Sequence, residues 1–304
     1  MTDTSFFTPC ENPLTPGIHR GISDTDYHAD PLPTPGLSAS LTVKLTNRRN
    51  NNHTPRWWWA RHPRNPNRVT EPETSALNFG RAIHAFILER DRFYDRFTVS
   101  PYKDFKTKAA RGWREEQLAA GRSVLDQADY DKIQAMAEAV QCHPSASKLI
   151  AQCEHEVVGV TQDKKTGVWL RMKADLYSSN PAIWIVDYKT ARSAHPEDFK
   201  KAVLEYGYHQ QAAFYLDVLE AIEGFRRSGF SFIVQEKDPP YQLAVYSMHS
   251  QAVQMGRYEN MQIIDEFAQY LSEANFPTYD ENPQDINLPD WHLDSMTKLY
   301  GHAA

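Results

Sequence analysis

Apolar residues recur along this chain at two different periods, and the switches between them mark out its elements. Between Thr74 and Arg90, Leu77, Ile83, Phe86, Ile87 and Leu88 lie at helical spacing, which predicts an amphipathic helix. Glu71 and Glu73 place negative charge at its start, where the helix dipole favours it. Residues 103–141 are charged and Ala-rich and read as one or two helices, with Gly121 as a break and His143-Pro144 as the end. The period then changes to two. Glu154 to Thr161 alternates, Asp163 to Gly167 reads as a hairpin turn, and Val168 to Tyr177 is the returning strand. Ala182 to Lys189 is a third strand, followed by a helix from Pro196 to Glu223. Phe230 to Gln235 and Leu243 to Met248 read as two more strands, and Gln251 to Ala274 as a helix. Helices, a strand meander, a helix, strands and a helix predict an α/β fold with a central mixed sheet flanked by helices.

The ends differ from this body. Pro, Thr, Ser, Asp and Gly dominate the first 40 residues, and the alternating Pro31, Pro33 and Pro35 forbid a regular helix there. The expected organisation is an extended N-terminal arm over 1–36, one domain over 37–295 and a tail over 296–304. Leu37, Leu41 and Leu45 suggest a short helix where the domain begins. Trp57, Trp58 and Trp59 cannot all face one side of a regular element, so at least one is expected in a core. With 41% hydrophobic residues among 304, the chain can fill a sizeable core and is not a disordered or collagen-like sequence. No apolar run approaches the roughly 20 residues of a membrane helix, and no secretory signal is visible. Cys10, Cys142 and Cys153 cannot build a disulfide framework, so a reducing cytoplasmic location is expected, without a membrane partner.

A net charge of −6 argues against a nucleic-acid partner until its distribution is considered. Lys44 to Arg68 holds Lys44, Arg48, Arg49, Arg56, Arg61, Arg64 and Arg68 with no acidic residue. A basic segment on an acidic body can contact phosphate, although a solvated loop has the same composition. Arg48, Arg49 and Arg56 are its candidate DNA contacts.

The chemistry lies in the two central strands. Period-two alternation puts Leu170, Met172, Ala174 and Leu176 on one face of the first, with Arg171, Lys173 and Asp175 on the other. Asp187 follows the apolar run Ile183-Trp184-Ile185-Val186 and shares a face with Lys189. If these strands pair as a hairpin, Asp175 and Asp187 converge with Lys189 beside them. Two hard carboxylates suit Mg²⁺, with Mn²⁺ as substitute, and a lysine can offset charge on a phosphate undergoing hydrolysis. The same residues are also compatible with an ordinary surface ion pair. His84 sits one turn after Gly80 on the predicted helix, so the missing side chain leaves room above the imidazole. Gln211 and Tyr215, spaced i, i+4, share a helix face and could hydrogen-bond DNA phosphate or the lysine. A packed histidine and an amphipathic helix with a core tyrosine account equally for these two patterns.

Taken in order, these motifs resemble the RecB-like branch of the PD-(D/E)xK nuclease superfamily, and more closely the exodeoxyribonuclease VIII (RecE) nucleases of prophages. The resemblance runs from about Leu37 to Trp291 through Phe79-Gly80-Arg81-Ala82-Ile83-His84, Glu156, Lys173-Ala174-Asp175, Val186-Asp187-Tyr188-Lys189-Thr190 and Tyr208 to Tyr215. It ends with Pro277 and Leu288-Pro289-Asp290-Trp291. It implies a restriction-endonuclease-like core. It also implies that His84, Asp175, Asp187 and the Tyr188 carbonyl are metal ligands and that Lys189 is the catalytic lysine. Gln211 and Tyr215 are then supporting residues near the DNA, Glu156 an additional acid or ligand, and Arg81 a further DNA contact. Ala174 departs from the proline of the family pattern, at a position that only shapes the strand. Three scattered cysteines cannot hold the iron–sulfur cluster of some relatives, and no phosphate-binding motif of a helicase is present.

The activity the resemblance implies is Mg²⁺-dependent 5′→3′ digestion of double-stranded DNA ends, leaving 3′ overhangs for a single-strand annealing recombinase. The implied assembly is a ring-shaped homo-oligomer threading duplex DNA in phage or prophage recombination. A non-processive single-strand or flap nuclease and a catalytically inert DNA-binding module on the same fold are the alternatives, and retention of His84, Asp175, Asp187 and Lys189 counts against the second.

Overall fold

The computed structural model describes residues 6–46, 54–70, 75–280 and 282–300. In chain order the elements up to the meander are β1 (Gly17–His19), α1 (Asp24–His28), β2 (Leu37–Ser38), α2 (Ala39–Thr46), α3 (Pro55–Trp59), α4 (Ser75–Leu88), α5 (Phe93–Arg96), β3 (Phe97–Val99), α6 (Lys108–Ala119), β4 (Ser123–Leu125), α7 (Gln127–Cys142) and α8 (Pro144–Ala151). The remainder comprises β5 (Glu154–Gln162), β6 (Trp169–Tyr177), β7 (Ile185–Ala191), α9 (Pro196–Glu205), α10 (Tyr208–Glu223), β8 (Phe230–Glu236), β9 (Leu243–Ser247), α11 (Ser250–Ser272) and α12 (Asp290–Tyr300).

Seven strands form one mixed sheet in the order β1-β5-β6-β7-β8-β9, with β2 pairing parallel to the start of β6. The β5–β6–β7 meander is antiparallel, whereas β7 and β8 run parallel, joined through α9 and α10. Each face carries its own core. On one, Met172, Ala174, Ile185, Phe230 and Phe232 pack against Ala212, Phe214 and Leu216 of α10 and Ile263 and Phe267 of α11. On the other, Leu176, Val186, Tyr188 and Ile233 meet Ile83 and Phe86 of α4 and Ile133 and Met136 of α7. Both faces are covered, so a polar group in the central strands needs a partner.

The predicted helix over 196–223 is two helices. Gly207 interrupts it with φ 64°, a left-handed conformation, and Val43 packs where a Cβ would sit. The region 103–141 likewise divides into α6 and α7, with Gly121 (φ 75°) turning the chain into β4. Of the three tryptophans, Trp58 is buried beside Phe267, while Trp59 stacks between Phe276 and His62.

The described part of the arm expected over 1–36 lies on the sheet. β1 adds an antiparallel edge to β5, with His19 opposite Val158. Behind it, Asp30 is wholly buried and forms an ion pair with Arg171 of β6. Asp30 also accepts the Gly36 N–H at 3.0 Å. Arg64, 3% exposed, donates to the carbonyls of Thr8, Asp30 and Leu32. This guanidinium of the basic segment therefore fastens the arm and does not face solvent. At the other end, α12 runs into the expected tail and keeps Trp291 exposed.

Candidate active site

The site forms where β6 and β7 separate. Their ladder contains the pair Leu176↔Val186. One register step further would set Asp175 opposite Asp187, but the strands have parted, and β2 pairs with Leu170 and Arg171 of β6 instead. Asp175 reaches into the fork and accepts the Tyr188 backbone N–H through Oδ2 at 2.8 Å. The predicted alternation fails at this point. Leu170, Met172 and Ala174 share one core, but Leu176 belongs to the other.

A second irregularity lies on the far side of β6. The β5–β6 ladder pairs His155 with Leu176 and Val157 with Ala174, passing over Glu156 and Asp175 between them. Glu156 has φ 56°, a strained value for a non-glycine residue inside a strand.

His84 of α4 completes the group, with Nδ1 3.6 Å from Asp175 Oδ2. Its ring meets that of Tyr188 edge-on, centroids 5.1 Å apart. A Cβ added at Gly80, one turn earlier, would meet no atom within 4 Å, so that side of the helix is open. His84, Glu156 and Asp175 each present a ligand atom, and these atoms lie within 4.8 Å of one another. Two carboxylates and an imidazole suit a divalent cation. The electrostatics agree. Burial, then the Asp187 charge, pushes Asp175 up to about 8, and burial, then Asp175, pushes Glu156 up to about 7. Burial holds His84 below its ordinary value, so the ring is available as a neutral donor.

Asp187, 2% exposed, stands beside this group. Its Oδ2 is 2.7 Å from Lys189 Nζ, an ion contact outside hydrogen-bond geometry, and its Oδ1 accepts from Gln211 Nε2 at 2.5 Å. Tyr208 places its ring 4.9 Å from the Lys189 ammonium. Burial would lower the lysine, but Asp187, Tyr208 and Asp175 outweigh it and hold it charged. Tyr215 donates to the Lys173 carbonyl at 2.7 Å, pinning β6 to α10.

The structure thus brings His84, Glu156 and Asp175 together most closely and sets Asp187 with Lys189 and Gln211 alongside. Glu156, expected as an additional acid or ligand, is one of the three residues whose ligand atoms converge. Tyr188 contributes its N–H to Asp175, while its hydroxyl donates to Gln235 beneath the site. Arg81 and Arg56 are exposed, and Arg48 and Arg49 lie outside the described residues. Arg61 lies over the Trp57 ring, 3.7 Å from its centroid. Sequence reasoning missed Lys173, Asp24, Arg96 and Glu89. Lys173 contacts both Glu156 and Asp24, and Arg96 lies 2.5 Å from both Asp24 and Glu89. Only the face that Lys173 shares with Asp175 hinted at this chain of charges.

The sequence profile of a family described as "PDDEXK-like domain of unknown function (DUF3799)" matches residues 62–288. The fold is similar to the crystal structure of a "Putative exonuclease" from Eubacterium rectale, at 11% identity and a TM-score of 0.58 over 92% of this chain and 97% of that one. A second solved structure, SSO0001, aligns over 73% of this chain and 84% of its own at 13% identity, but with a TM-score of 0.26 it supports no argument. No curated protein matches the sequence.

Proposed function

We propose, for a chain that belongs to this PDDEXK-like family and has the restriction-endonuclease-like fold, a metal-dependent nuclease that trims the ends of double-stranded DNA. The observation that carries the reading is the convergence of His84, Glu156 and Asp175 at a strand fork whose other prong presents Asp187 and Lys189. His84, Glu156 and Asp175 would hold the cation, with Asp187 adjacent. A bound Mg²⁺ or Mn²⁺ would polarise the phosphodiester and make attacking water more acidic. Lys189, held charged between Asp187 and the Tyr208 ring, would meet charge developing on the phosphate. Gln211 fixes Asp187 from the side of α10, so the carboxylate keeps its orientation as a strand enters.

Digestion in the 5′→3′ direction, leaving 3′ overhangs for a single-strand annealing partner in phage or prophage recombination, is the finer form of the proposal. A ring of subunits around duplex DNA belongs to the same reading, because an acidic chain grips DNA better when several copies pool their cationic side chains. Linear duplex labelled at its 5′ or 3′ end, and a covalently closed circle, provide the test with Mg²⁺ present. Early release of the 5′ label from linear substrate and an intact circle are expected. Nicking of the circle would show an endonuclease, and early loss of the 3′ label would reverse the polarity.

A further inference from the structure

We propose that Asp24, in the N-terminal segment, is a positioning residue of the metal centre, acting through Lys173 on Glu156. The inference rests on the reading of His84, Glu156 and Asp175 as cation ligands. Asp24 lies well outside residues 62–288, over which the family profile matches.

The geometry is a relay of charges. Lys173, whose side chain is only 10% exposed, touches Glu156 through Oε2 and Asp24 through Oδ1. A lysine with one carboxylate within reach would turn its ammonium wholly onto that group and compete with a cation for both oxygens. Here Asp24 shares the ammonium with Glu156. With the ammonium shared in this way, Glu156 would keep an oxygen for a cation. Glu156 holds a left-handed backbone inside β5, and a strained residue keeps its place only when its surroundings hold it.

Asp24 also ties two of the three ligand-bearing elements together. Arg96 Nη1 lies 2.5 Å from Asp24 Oδ2, and its Nη2 lies 2.5 Å from Oε2 of Glu89, the residue that follows α4. Thus the strand bearing Asp175 and the helix bearing His84 both reach Asp24 through one basic side chain each. The segment has its own anchors, the β1–β5 ladder on one side of Asp24 and the buried Asp30–Arg171 pair on the other. Asp24 therefore sits on a fixed support and not on a loose end. Partners that orient metal ligands typically cost ten- to a hundredfold in metal affinity when removed.

Mn²⁺ titration of the full chain, followed by the electron paramagnetic resonance signal of the free ion, tests this without any turnover. Wild type that binds no Mn²⁺ overturns the ligand reading itself and the proposal with it. Given binding, Asp24→Asn is expected to weaken affinity about tenfold, and Asp24→Glu to restore it to within about threefold of wild type. Asp265→Asn, which removes the exposed partner of Lys165, serves as a control without effect. In a Lys173→Met background, Asp24→Asn should add no further loss, because the two act in series. Unchanged affinity in Asp24→Asn overturns the proposal, as does an equal further loss in the double variant. Should Asp24→Asn fail to fold, Asp24→Ser in the same Mn²⁺ titration decides, with about tenfold weaker binding expected and unchanged affinity overturning the proposal.

Discussion

Asp175 and Asp187 occupy facing register positions one step beyond the pair Leu176↔Val186, at the point where β6 and β7 diverge. Had the ladder continued, both carboxylates would stand among paired backbone. The fork instead lets Asp175 reach across to the Tyr188 N–H and leaves Asp187 to Lys189 and Gln211. The two acids therefore repel each other, as the raised pKa of Asp175 records, while each is oriented by a different partner.

Replacing Asp187 by alanine should reduce cleavage at least a thousandfold, about 4 kcal/mol of transition-state stabilisation. Circular dichroism of the variant should match wild type, because Lys189 remains 22% exposed at its side chain and can turn to water. Activity within tenfold of wild type would remove Asp187 from the chemistry.

Lys189→Gln separates binding from turnover. Mn²⁺ affinity and DNA affinity should be retained while kcat collapses, since the lysine charge matters where phosphate charge develops. A variant that merely raises KM would make Lys189 a phosphate clamp.

The metal-free protein should respond to pH in a direction set by Asp175, at about 8, and Glu156, at about 7. Both pKa values are raised on folding, first by burial, so the folded chain holds more protons than the unfolded one between roughly pH 4 and these values. Their contribution to stability is complete below about pH 4 and is lost as pH rises through 7 to 8. Melting curves from about pH 6 to about pH 9 should therefore fall more steeply for wild type than for Asp175→Asn, with Mn²⁺ removing much of the difference. Cation binding should release protons, read as a dependence of calorimetric enthalpy on the buffer.

The buried clasp at Asp30 should be expensive to break. Asp30→Ala leaves Arg171 without its carboxylate and is expected to cost about 3–5 kcal/mol, measured by urea denaturation. A loss below about 1 kcal/mol would mean that water reaches Arg171 in the folded state.

Gly256 sets the closeness of α10 and α11. A Cβ there would lie 2.4 Å from the His209 carbonyl oxygen, so Gly256→Ala should cost about 1–3 kcal/mol through overpacking. Because α10 carries Gln211, cleavage should fall more than the loss of folded protein explains, with kcat as the readout.

Local pattern determined most of the element map and the chemical types at the site. The β5–β6 hairpin, the helix bearing His84, and the i, i+2 placement of Asp187 and Lys189 all follow from periodicity, because side-chain direction repeats every two residues in a strand and every 3.6 in a helix. The break at Gly207 and the fastening of the N-terminal segment did not follow. A left-handed glycine is decided by what packs on it, here Val43, and that contact joins positions far apart in the chain. The same holds for the site. Glu156 leaves its ladder and Leu176 changes face beside the fork between β6 and β7, and such breaks in strand pairing have no periodic signature. Asp24, Lys173 and Arg96 are ordinary charges in sequence. They become a network because the fold brings Lys173 and Arg96 within reach of the same Asp24 carboxylate.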